Sequence, residues 1–216
     1  MLQAARRRKI HIGPEDNGRR MSLDDFDRAI GREGYIYELG KGVIEVSDVP
    51  HLDHGETVQE ARDQLVMYKV THPGVIDYLA TGSDAKLLIG PSESERHPEL
   101  LIYCRPAPEV DHPWSLWVPE IVIEVISESS RKRDYEVKPG EYVEFGVDEY
   151  WIIDAAKKQM IVHVRWRGQW KTQIVKPPKK YSTRLLPGFS LDLKRVIAAA
   201  ASTKTKNGRN GGRNGK

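Results

Sequence analysis

Ile121-Val122-Ile123-Glu124-Val125-Ile126 is the stretch on which the fold turns. Apart from one carboxylate it is continuously apolar and β-branched, which predicts a central strand covered on both faces rather than a half-exposed one. Ser129 or Ser130 is placed to cap a following helix. Pro139-Gly140 predicts a break or kink near Lys138, and Gly146 marks the end of that helix. A further strand is expected over 149–153, and a closing C-terminal hairpin over 160–165 and 168–175.

Working upstream, residues 105–119 carry four prolines and read as a loop. Leu100–Tyr103 reads as a strand, with shorter strands over 74–80 and 86–89. Val58, Ala61, Leu65 and Tyr68 recur at three- and four-residue spacing, which predicts a core-facing helix over 57–70. Residues 35–39 and 43–46, joined by Gly40-Lys41-Gly42, form an expected hairpin. Ser22, with Asp25 three residues on, predicts a capped helix running to about Gly31. Strand, helix, central strand, helix and strand give an α/β (α+β) class: a mixed central β-sheet flanked by helices.

With 216 residues, 39% hydrophobic and 30% charged, the chain suits one sizeable core. The expected organisation is a basic N-terminal arm over 1–19, one domain over 20–201 and a disordered basic tail over 202–216. Formal charge is +3, yet the tail holds five Lys/Arg and no acid, so residues 20–201 carry a net −5. That body is no electrostatic magnet for a polyanion. The basic ends suit either phosphate-tracking segments or plain solubilising tails. A single cysteine, Cys104, allows no internal disulfide and fits a reducing cytoplasm. No stretch approaches the roughly 20 apolar residues that a bilayer span needs, so no membrane association is expected.

Glu124 is the odd residue of its strand, because a buried carboxylate costs several kcal/mol, roughly, unless a cation or hydrogen-bond donors compensate. A solvated edge position, or a pairing with arginine, would explain it without chemistry. A metal site would need a second carboxylate. Glu120 shares its face but lies about 13 Å away at roughly 3.3 Å per residue, too far to share an ion. Glu99, opening the strand at Leu100, is better placed, and oxygen-only ligation favours Mg²⁺ or Mn²⁺. Lys138 can fold back from the helix to bring an ammonium near both acids; otherwise it is a solvated helix lysine. His51 and His54 sit beside Pro50 and Gly55 and read as loop residues, with His54 retained as a site neighbour. Trp151 reads as core, whereas Trp166 and Trp170 straddle a turn and are candidates for exposure.

The run from Val118-Pro119-Glu120 through Glu124-Val125-Ile126-Ser127, then Arg133-Asp134-Tyr135-Glu136-Val137-Lys138, Tyr142, Gly146-Val147 and Glu149-Tyr150-Trp151-Ile152-Ile153-Asp154, resembles the Uma2 family. Tyr37-Glu38-Leu39, His54 and His97-Pro98-Glu99-Leu100 extend the resemblance over residues 22–197. It implies a restriction-endonuclease-like PD-(D/E)xK core and metal-dependent hydrolysis of DNA. Glu99 takes the place of the motif's aspartate and Glu124 that of its second carboxylate. The motif's lysine position is Ile126, and the lysine role passes to Lys138 on the helix. Glu38, His54 and Glu120 are expected near the site. Pro98-Glu99 and Pro119-Glu120 depart from the family's Pro-Asp, each extending the carboxylate by one methylene. The alternative function is a nuclease fold kept as a nucleic-acid-binding or interaction module without turnover. Cleavage of two strands would favour a homodimer, although no exposed apolar stripe specifies one.

Overall fold

The computed structural model describes residues 9–210. Its chain forms two compact units, one built from the chain up to 49 together with 87–97, the other from 50–86 together with the chain from 98 onward. In chain order the elements begin with β1 (His11–Ile12), α1 (Leu23–Asp27), β2 (Ile30–Gly31), β3 (Tyr35–Gly40), β4 (Val43–Asp48), α2 (Leu52–Thr71) and β5 (Tyr78–Thr81). They continue with β6 (Leu87–Ile89), β7 (Ser94–Arg96), β8 (Leu100–Tyr103), β9 (Ile121–Val125), α3 (Lys138–Phe145), β10 (Glu149–Asp154), β11 (Gln159–Trp166), β12 (Gln169–Val175) and α4 (Leu193–Asn210). None of the described helices is long and apolar enough to cross a membrane.

The smaller unit holds a four-stranded sheet ordered β4-β3-β7-β6 and the short parallel pair β1-β2. Ile12, Phe26, Leu39 and Ile44 form its core. The expected β3–β4 hairpin is present, closed by Lys41 and Gly42 with both φ angles positive, the geometry of the turn that matches strand twist. Helix α1 is capped as expected, Asp25 N–H donating to Ser22 Oγ at 3.2 Å, but it ends at Asp27.

The larger unit is built on a six-stranded sheet ordered β12-β11-β10-β9-β8-β5. Here β9 runs parallel to β10 and antiparallel to β8, so the sheet is mixed and β9 is interior, as its apolar run predicts. Its side chains alternate. Ile121, Ile123 and Val125 enter a core with Ala61, Leu65 and Tyr68 of α2, Trp151 and Ile153 of β10, and Leu193 and Val196 of α4. Val122 and Glu124 occupy the opposite face.

Two boundaries correct the sequence reading. Helix α2 starts at Leu52, not at 57, and His51 is its N-cap residue. Pro50 and Gly55 do not keep the histidines in a loop: the N–H groups of His54 and Gly55 both donate to His51 O, closing the first turn. Helix α4 continues to Asn210, into the segment read as a tail, while 211–216 lie outside the described residues, as do 1–8 of the expected basic arm.

Candidate active site

The segment after β9 is a wide turn of π type over Arg133–Val137, where Lys138 N–H donates to Arg133 O. Continued by one residue, that register would pair position 139 with Asp134 O, but Pro139 has no N–H. Tyr150 Oη donates to Asp134 O instead, at 3.0 Å. The expected break near Lys138 is therefore a change from π to α winding. Such insertions within helices occur frequently at functional sites. Ser127 and Ser130 fix the approach, each N–H donating to the other's Oγ.

This winding aims Lys138 at the sheet. Its Nζ lies 2.7 Å from Glu124 Oε1 and 3.1 Å from Asp134 Oδ1. Lys138 is 3% exposed, Glu124 2% and Asp134 1%, so the cation and both acids are out of water. Tyr142, one turn on, donates from Oη to Glu124 Oε1 at 2.8 Å. The cationic companion that a buried Glu124 demands is thus the helix lysine.

Glu99 joins them from β8. Leu100 pairs with Ile123, so the next step of the antiparallel register sets Glu99 beside Glu124. Its carboxyl is within hydrogen-bonding reach of the Glu124 carboxyl, and it accepts from Val125 N–H at 3.2 Å. From the start of α2, His54 Nε2 approaches Glu99 Oε1 to 3.2 Å. Glu99 keeps 24% of its side chain exposed, which makes it the opening of the cluster to solvent.

The electrostatics follow from burial. Desolvation raises the Glu99 pKa, opposed by its bond to Glu124 and by the charge of Lys138. Asp134 is pushed up to about 6 by desolvation, with Lys138 pulling it down and Glu124 adding to the rise. Neither Asp134 oxygen makes a well-directed hydrogen bond. Desolvation lowers the His54 pKa against the opposing charges of Glu124, Asp134 and Asp53, so at pH 7 its ring is neutral. A neutral ring donating to Glu99 through Nε2 leaves Nδ1 as a bare acceptor, and that atom has no partner among the described residues.

Three acids beside one lysine leave an excess of negative charge. Two carboxyls in mutual contact hold either a shared proton or a cation. Among the described residues no group of three or more His, Cys, Asp or Glu side chains forms a ready-made metal cage. Mg²⁺ does not require one, since one or two carboxylates with water and substrate phosphates commonly hold it. The oxygen donors of Glu99 and Glu124 fit such an ion.

Two other expected neighbours have local partners of their own. Glu120, at the opposite end of the β8–β9 pairing, accepts from Cys104 N–H at 2.6 Å and forms an ion pair with Arg105. Its buried carboxylate is therefore locally compensated. Glu38 belongs to the smaller unit, where it accepts from His97 N–H at 3.1 Å and faces the buried Arg96 guanidinium at 3.4 Å. Asp134 and Tyr142 carry no assigned role in the sequence reading. Their spacing with Lys138, four residues on either side, repeats one helical face and was the available signal.

An α/β fold with a mixed sheet, carrying two carboxyls and a lysine at its centre, defines a restriction-endonuclease-like protein. A crystal structure described as "a putative nuclease belonging to DUF820" from Anabaena variabilis superimposes with a TM-score of 0.68, at 17% identity, over 83% of this chain and 99% of that one. At that identity the likeness is one of fold. The model of the Uma2 family, described as "Putative restriction endonuclease", matches residues 23–194. The chain belongs to the Uma2 family. No curated protein matches it significantly.

Proposed function

We propose that this chain is a metal-dependent endonuclease that hydrolyses DNA phosphodiester bonds at the Glu99–Glu124–Lys138 cluster. The observation that carries the reading is the contact of two carboxyls beside a buried lysine, on a fold shared with a nuclease-type structure. Glu99 and Glu124 would hold Mg²⁺ or Mn²⁺. When bound, that ion supplies Lewis acidity toward a phosphate oxygen and positive charge against the polyanion.

The chain's own groups do the positioning. Lys138 and Tyr142 fix the orientation of Glu124 through two hydrogen bonds to one oxygen. Lys138 also places a positive charge where negative charge develops on the scissile phosphate. His54 orients Glu99, the most accessible acid. Asp134 balances Lys138 and keeps the ammonium over Glu124.

Incubating supercoiled plasmid with protein and Mg²⁺ or Mn²⁺ tests this directly. Wild type should nick, and Glu124→Gln and Lys138→Ala should each fall about 100-fold or more, as loss of one preorganised charge typically does. Equal nicking by all three ends the assignment. One observation favours the second reading, a fold retained for binding without turnover: Glu124 Oε1 is already committed to Lys138 and Tyr142. That reading expects DNA binding with no nicking in any metal.

A further inference from the structure

From Ala155 to Leu191 the chain contains nine lysines and arginines and no aspartate or glutamate. All nine are exposed. Only two have a carboxylate within ion-pair distance among the described residues: Arg165 with Asp148 at 2.6 Å and Lys180 with Asp192 at 3.7 Å. The stretch spans the β11–β12 hairpin and the loop after it. Strand β12 is the open edge of the six-stranded sheet. At the hairpin tip Trp166 is 52% exposed, with Lys171 Nζ 4.4 Å from its ring centroid and the Arg167 guanidinium at 5.9 Å. An exposed indole between two cations is a platform for a polyanion.

We infer that this edge, centred on Trp166, Arg167, Lys171 and Lys176, is the surface that grips the phosphate backbone of duplex DNA. The inference rests on the nuclease reading and supplies what that reading lacks, since the acids gathered at Glu124 repel a polyanion. Edge strands often carry lysine to discourage strand pairing, which accounts for Lys171 alone. It does not account for an acid-free run continuing through Lys179 and Arg184 beyond the strand. The edge is also tied to the cluster: Trp170 of β12 donates from Nε1 to Pro139 O at 2.7 Å, next to Lys138. Three strand spacings separate β12 from β9, about 14 Å at roughly 4.8 Å each. The register sets Trp170 and Thr172 on the Glu124 face of the sheet and Lys171 on the opposite one, so the edge borders the cluster's face without lying on it.

The test measures binding of the full chain to a fluorescent duplex in EDTA, where no cleavage occurs, from 50 to 300 mM salt. Wild type is compared with the triple variant Arg167→Gln/Lys171→Gln/Lys176→Gln and with a deletion of 202–216, which removes five basic residues. Three lost phosphate contacts should make the log–log salt slope shallower by about 2.7 and weaken binding about tenfold or more at 150 mM salt. The triple variant should lose more than the deletion does, with its circular dichroism unchanged. An unchanged slope overturns the inference, as does loss of binding to phosphatidylserine vesicles without loss on DNA. A wild type that binds through this edge and never nicks removes the catalytic reading alone. Nicking accompanied by binding indifferent to the triple variant removes this inference alone.

Discussion

Lys138→Met keeps the length of the side chain and deletes its charge, leaving Glu124 and Asp134 buried without the ammonium between them, while the Tyr142 hydroxyl still donates to Glu124. Removing one partner of a buried pair costs about 3–5 kcal/mol. Proton uptake offsets part of that. Asp134, already raised to about 6, needs about 2 kcal/mol to hold a proton at pH 7.5, at about 1.4 kcal/mol per pH unit, and less once the ammonium is gone. The net loss should be about 2–4 kcal/mol at pH 7.5 and less than half of that at pH 5. All five tryptophans lie in the larger unit, so their fluorescence reports its unfolding in urea. With a slope of about 2 kcal/mol per molar, the midpoint should drop by about 1–2 M at pH 7.5. A shift below about 0.25 M, or one that does not change with pH, would refute the buried-pair argument.

Two further substitutions probe the same network. In the native protein Asp134 binds its proton more tightly than in the unfolded chain, so its contribution favours folding at low pH and is lost as pH rises from about 4 to about 6, by about 3 kcal/mol. Asp134→Asn should flatten the dependence of the urea midpoint on pH in that window; a curve identical to wild type would contradict the assignment. Tyr142→Phe removes one hydrogen bond to a buried carboxylate and should cost about 1.5–3 kcal/mol while leaving the far-ultraviolet circular dichroism unchanged. A cost near zero would mean that the hydroxyl does not hold Glu124.

The centre of the fold was legible because its signals are local. A β-branched run long enough to be covered on both faces identified β9, three- and four-residue periodicity identified α2, and glycine-containing turns identified the two hairpins. Glu124 was legible as a contradiction, a charge in an apolar strand, and Glu99 and Lys138 as the eligible answers to it. What escaped depended on tertiary contacts. Strand β7 is three residues long and is specified by pairing with β3 and β6, not by its own Ser-Glu-Arg sequence. The return of 87–97 to the smaller unit leaves no compositional mark. Asp134 has no assigned role in the sequence because only the π-type turn buries it beside Lys138. Glu120, just before β9, and Glu124, within it, share one face by alternation in the sequence, yet Arg105 and the Cys104 N–H neutralise one while Lys138 and Glu99 surround the other.

The claim on which the functional account stands is that the touching carboxyls of Glu99 and Glu124 share a divalent cation. Titrating Mn²⁺ into the protein at pH 7.5, and following free Mn²⁺ by its electron paramagnetic resonance signal, measures this without reference to any reaction. Wild type should withdraw one or two ions per chain, and Glu99→Gln/Glu124→Gln should withdraw none while retaining the wild-type circular dichroism. Equal uptake by both proteins, or no uptake by wild type in the absence and presence of duplex DNA, would contradict it.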